Sequence, residues 1–373
     1  MFASSSVALA DSVKDNTKPI GKGYELVIGE YAAGLQVRKA GATARLGEAF
    51  KFGVTTVDAK TGIVDINVQT FTCVGTAHYA YSYKQLDARL ENTAAYRLHK
   101  KADYKTAALG FARATADDPT WRIPAYNLAS AHTLLGDKEA AIKALAPWIA
   151  SEPVATYVQI STDPELAPLL DRPEVLAIRP KAPGTVKLTT NGLDGVAYSP
   201  DRSLLAVTRK EGSWGSSAFK IVLELHDLDG KLVAETPVVQ WSETSNDCTK
   251  SGCELVASAR PVIAKRLVML EAMLGELGFA PPKVAEAAKV EGARGDKRKA
   301  VIANAKLGVV GWNNTARALK QNTELGTAKI LDRLDAATYV DDAKVIVLWS
   351  SSSGPEGCTD SDPTEVNVIR LKP

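Results

Sequence analysis

The segments "ADYKTAALGFARATADDP" (102–119) and "GDKEAAIKALAPWIASEP" (136–153) repeat one order of small, large and proline positions, 34 residues apart. Tyr104 stands in register with Lys138, Ala107 with Ala141, Phe111 with Leu145, Ala114 with Trp148 and Pro119 with Pro153. Upstream, Ala95 matches Ala129 and Asp103 matches Asp137. The pattern predicts two helix–turn–helix units. Alanine at 95, 107, 129 and 141 lets antiparallel helices approach closely, and Phe111 and Leu145 fill the space between them. Asp103 and Gly136-Asp137 supply turns, and the prolines end the second helices.

A fixed 34-residue period of such units resembles the tetratricopeptide repeat family. The match runs from Ala88 to Pro153, with departures at Leu98, His132 and Trp148. Two stacked units need a cap. "STDPELAPLLDRPEVLAI" (161–178) resembles the half-repeat tail of bacterial members and offers Leu166, Leu169, Leu170, Val175 and Leu176 for it. The resemblance implies a closed helical module over 88–180 whose first helices line a concave face that holds a protein or peptide partner. By position that face comprises Arg89, Asn92, Tyr96, His99, Ile123, Tyr126, Asn127, Ser130 and Thr133. Asn127 matches an asparagine with which some members bond a peptide backbone. The basic residues of the family's carboxylate clamp are absent, which argues against recognition of a C-terminal carboxylate. A spacer between two β domains is the alternative role.

The 373 residues suit two or three domains. With 45 basic and 43 acidic residues the chain lacks a field that favours nucleic acid or an anionic membrane, and no apolar run suits a transmembrane span. Residues 1–20 are set aside as a leader remnant or a disordered segment. Ala8-Leu9-Ala10 before Asp11 resembles the end of a secretory signal peptide but lacks a basic start. Four cysteines fit a periplasmic or secreted protein. Cys248 and Cys253 enclose "TKSG" and are candidates for a local disulfide, with Cys73 and Cys358 for a second; free thiols or a zinc site are the rival readings.

Residues 21–87 read as a small antiparallel β domain of three or four strands. "FKFGVTTVDAKTGIVDINVQTFTC" (50–73) is a hairpin turning over Asp58 to Gly62, and Val64, Ile66 and Val68 alternate with Asp65, Asn67 and Gln69. Residues 181–373 read as an α+β domain. "GVAYSPDRSLLAVTRKEG" (195–212) and "FKIVLELHDLDGKLVAETPVV" (219–239) are strand pairs resembling one propeller blade, and no further copy follows. Their order resembles a predicted secreted domain of unknown function found in bacteria. Val256, Ala259, Ile263, Leu267, Leu270, Leu274 and Leu277 form one stripe of a helix that ends at Gly278 and is expected to pack on a sheet. Strands follow at 305–312, 343–349 and 364–371. The expected class is therefore α+β multidomain: a small antiparallel β domain, a helical module, and an antiparallel sheet with one long helix.

The histidines His78, His99, His132 and His226 show no metal spacing, and no nucleophile elbow, phosphate loop or dinucleotide fingerprint occurs. No catalytic acid–base pair, cofactor or metal ligand set emerges. The acidic loop with Glu356, Asp360 and Asp362 and the loop around Trp214 are the remaining polar candidates. The sequence thus points to a non-enzymatic exported adaptor or scaffold. A hydrolase or glycan-binding protein with its site on the β-domain loops is the alternative.

Overall fold

A computed structural model describes residues 17–28, 34–47, 49, 51–69, 76–179, 186–189, 192–193, 196–212, 219–244, 255–283, 285–291, 298–312, 315–321, 323–330, 333–351 and 365–372. It has the α+β multidomain organisation and divides into two compact units, Met1–Gly136 and Asp137–Pro373. No helix among the described residues is long and apolar enough to cross a membrane.

The first unit opens with β1 (Thr17–Gly21), β2 (Tyr24–Ile28), β3 (Leu35–Lys39) and β4 (Ala42–Gly47) in one antiparallel sheet. A second sheet holds β5 (Lys51–Val57), β6 (Ile63–Gln69) and β7 (Thr76–Ser82). The small sheet expected from sequence is thus two sheets. The extra strands turn at Lys22-Gly23 and Ala40-Gly41, where both central residues have positive φ, as a type I′ hairpin turn requires. The expected hairpin forms between β5 and β6, with Val64, Ile66 and Val68 buried. They join Leu26, Leu35 and Val37 in one core.

Three helices complete this unit: α1 (Tyr83–His99), α2 (Tyr104–Asp117) and α3 (Arg122–Leu134). A reciprocal capping box starts α1. The Gln85 amide donates to Ser82 Oγ (3.3 Å), and the Ser82 amide donates to Gln85 Oε1 (2.8 Å). Leu86 and Leu90 bury themselves in the β core, while Ala95, one turn on, packs with Phe111 of α2. Contact there is tight: a Cβ on Gly110 would lie 2.7 Å from Ala95 Cβ.

The second unit begins with α4 (Lys138–Ser151), α5 (Pro153–Thr162) and α6 (Pro173–Ile178). Helices α2 and α4 have the same length, 34 residues apart, and their caps repeat too. Asp103 accepts from the Thr106 amide (3.2 Å) and Asp137 from the Ala140 amide (3.0 Å). Ala95, Ala107, Phe111 and Ala114 are buried in the first copy, and Ala129, Ala141 and Leu145 in the second. In the tail, Leu166, Leu169 and Val175 are buried, Leu170 is half-buried and Leu176 is exposed.

A short ribbon, β8 (Leu188–Thr189) with β9 (Gly192–Leu193), leads to a meander of β10 (Ala197–Ser199), β11 (Leu204–Gly212), β12 (Phe219–Asp227) and β13 (Leu232–Val239). Helix α7 (Arg260–Glu276) buries Ile263, Leu270 and Leu274 of the expected stripe and ends before Gly278, whose φ is +71°. It packs against α5, β8 and β13. Arg266 clamps Glu243 through two 2.8 Å bonds, and Glu276 accepts from Tyr157 of α5 and from Arg179 (2.5 Å). Eight strands follow: β14 (Ala285–Glu291), β15 (Arg298–Ile302), β16 (Leu307–Trp312), β17 (Thr315–Lys320), β18 (Thr323–Lys329), β19 (Arg333–Val340), β20 (Val345–Ser351) and β21 (Glu365–Arg370). Their order is β18-β17-β16-β15-β14-β19-β20-β21, curled so that the end strands meet, with the Lys372 amide donating to Leu325 O (2.9 Å). Ile346 and Leu348 point into this curl. Val345 and Val347, on the other face, pack with Leu205 and Val207 of the meander.

A buried charge cluster lies in that second layer. Glu224 accepts from Arg209 Nε (2.6 Å) and bonds His226 Nε2 (3.0 Å), and its side chain is only 6% exposed. Burial pushes the Glu224 carboxyl up, but the bonds from His226 and Arg209 outweigh it and hold it below 4.5. A depressed carboxylate value contributes stability that is present above the unfolded value and lost as pH falls through the folded one. Glu224→Gln is therefore expected to cost about 3–5 kcal/mol near neutral pH, by leaving the buried Arg209 guanidinium short of its counter-charge. The gap to wild type should narrow below pH 4.5, in urea midpoints followed from neutral to acid. In the first unit, Gly110→Ala is expected to cost about 1–2 kcal/mol, since overpacking exceeds the gain in helix propensity. Leu109→Ala, on the exposed side of α2, should stay within about 0.5 kcal/mol in the same urea series.

The candidate partner-binding face of α1 and α3

All nine residues of the expected face lie on α1 and α3, within the first unit. Two hydrogen bonds lock these helices side by side in parallel. Asn127 Nδ2 donates to Asn92 Oδ1 (2.9 Å), and His99 Nε2 bonds Ser130 Oγ (3.2 Å). Asn92, His99, Tyr126 and Ser130 are buried. The His99 ring is also wedged against Tyr104 at 5.1 Å and Phe111 at 6.1 Å between centroids. Asn92, His99 and Ser130 take part in the bonds between the helices, Tyr126 is buried beside them in sequence, and the four offer little to a ligand. Thr133 Oγ1 donates to Ala129 O (2.8 Å), a bond within its own helix.

Arg89 is engaged as well. Its Nη1 donates to Asp118 Oδ2 (3.0 Å), and its guanidinium lies 3.4 Å over the Trp121 ring and 5.5 Å from that of Tyr81. Burial depresses the guanidinium below its ordinary value, and the Asp118 charge opposes that. Asp118 is itself 2% exposed, and accepts from Thr120 Oγ1 (2.6 Å). The cluster ties β7, α1 and the α2–α3 turn together. Trp121 and Asp118 were not among the residues singled out by sequence. The stretch "DDPTW" after α2 was the available signal, since a tryptophan beside an acidic pair is a ready partner for an arginine.

Three of the nine face outward. Tyr96 is 43% exposed and Ile123 42%, while Asn127 is half-buried. The Tyr96 ring stacks on His99 at an interplanar angle of 5°, with Lys100 Nζ 5.2 Å from its centroid. The bond to Asn92 fixes the Asn127 carboxamide and leaves its oxygen and second N–H to a partner. The outcome is a fixed amide between an aromatic and an aliphatic side chain.

The other candidates divide differently. Trp214, Glu356, Asp360, Asp362, Cys73, Cys248, Cys253 and Cys358 lie outside the described residues. His78 pairs with Asp65 on the exposed face of β6 and β7, and His226 belongs to the Glu224 cluster. Among the described residues no group of three or more His, Cys, Asp or Glu side chains could hold a metal ion.

Arg89→Ala would leave the Asp118 carboxylate buried without its cation. Urea unfolding of the first unit should show a loss of about 3–5 kcal/mol. Arg89→Lys should recover only part of it, because an ammonium cannot spread over the Trp121 ring as the planar guanidinium does. A scan against protein-family models and searches of curated proteins and of solved structures return no match for this chain.

Proposed function

We propose that the chain is a non-enzymatic exported adaptor whose tetratricopeptide-like helices α1 and α3 hold an extended segment of a protein partner. The observation that carries this reading is the outward row of Tyr96, Asn127 and Ile123, set on two helices joined by the Asn92–Asn127 and His99–Ser130 hydrogen bonds. A site of this kind binds without reorganising, because its amide and its aromatic ring are already oriented. The repeated caps at Asp103 and Asp137 and the buried repeat positions support the helical-module reading. Export rests on Ala8-Leu9-Ala10 and the even cysteine count.

The test immobilises the full chain and compares it with a Tyr96→Ala/Ile123→Ser/Asn127→Ala variant in capture from periplasmic and envelope extracts. Tyr126 is left intact because its side chain is core, and its loss would be read as unfolding. Wild type should retain a partner that the variant binds at least about 30-fold more weakly, the size of an interface hot spot. Equal capture by both, with helical circular dichroism unchanged, overturns the reading, and so does a failure of wild type to retain any partner.

A further inference from the structure

We propose that the segment held by the α1–α3 face is acidic, with its carboxylates lying over the turn between α1 and α2. This rests on the adaptor reading and adds the chemistry of the partner. Helix α1 has two acidic residues, and both are engaged: Asp87 with Lys39 (3.0 Å) and Glu91 with Arg113 (3.1 Å). Helix α3 has none. Beyond the outward row, Arg97, Lys100, Lys101 and Lys105 are all exposed within nine consecutive residues. The one acid among them, Asp103, caps α2 through the Thr106 amide. Arg97, Lys101 and Lys105 have no carboxylate partner among the described residues.

Position links this cluster to the face. Tyr96 and Lys100 stand one helical turn apart, and the ammonium sits near the exposed ring. A segment lying along Asn127 and Tyr96 therefore continues directly onto the cations. The net charge of the whole chain, +2, hides this patch, because acids elsewhere balance it. Acidic side chains on an extended partner would complement the patch, raise the encounter rate and fix the direction in which the segment lies. An internal acidic stretch satisfies these contacts, and a terminal carboxylate is not required.

The test uses fluorescence anisotropy with the full chain and two C-terminally amidated, fluorescein-labelled ten-residue peptides of Glu, Leu and Ser or of Lys, Leu and Ser. The Glu peptide should bind at least about tenfold more tightly than the Lys peptide, and raising NaCl from about 0.05 M to about 0.5 M, which shortens the Debye length roughly threefold, should weaken it about tenfold. Arg97→Glu/Lys101→Glu/Lys105→Glu should reverse the preference, with unchanged circular dichroism. Equal binding of the two peptides, indifference to charge reversal, or no binding of the Glu peptide overturns the inference. Binding of phosphatidylglycerol vesicles in place of the peptide overturns it as well, in favour of a lipid surface. The two readings fail separately: a captured partner lost with Tyr96→Ala/Ile123→Ser/Asn127→Ala but kept by the charge-reversed chain removes only the acidic partner and leaves the adaptor standing, whereas equal capture by the first variant removes both.

Discussion

Helix α1 has to serve two cores at once. Its first turns place Leu86 and Leu90 among the strands, and its later turns place Ala95 and His99 among the helices. A rigid helix cannot rotate one half without the other, so the β core sets the angle at which the helical layer is presented. The Ala95–Gly110 contact then sets how close α2 can come, since any added carbon there meets a methyl group. The outward row on α1 and α3 inherits its orientation from both.

Buried charge recurs in each unit, always with the counter-charge within hydrogen-bond reach. Arg89 sits with Asp118 in the first unit; Arg209 with Glu224 and Arg266 with Glu243 lie in the second. Such pairs repay their desolvation only with good geometry, and their loss is costly when one member remains. They therefore specify arrangement more than they add stability. Arg89 shows this best, because its cluster joins three separate segments: Tyr81 of β7, Arg89 of α1, and Asp118 and Trp121 of the α2–α3 turn.

The face on α1 and α3 also illustrates how a repeat signature can mislead about chemistry. Position in a repeat told which residues would share one side of the helices. It did not tell that Asn92 and Asn127 would bond each other, or that His99 would be enclosed by Tyr104 and Phe111. A polar side chain at a groove position can close the groove as readily as it can serve a ligand.

By itself the sequence determined the elements whose signals are local. The turns at Asp103 and Asp137, the hairpin turn over Asp58 to Gly62 and the glycine end of α7 were legible because each depends on residues close together in the chain, and the period of 34 was legible as the return of such local signals. Tertiary structure alone decided the rest. Strands β14, β17 and β18, "AEAAKVE", "TARALK" and "TELGTAK", are rich in good helix formers and become strands because a curling sheet supplies their backbone partners. The division of the nine face residues into helix-locking and outward-facing ones was likewise invisible, since burial and hydrogen-bond partnership arise from residues that are distant in the chain.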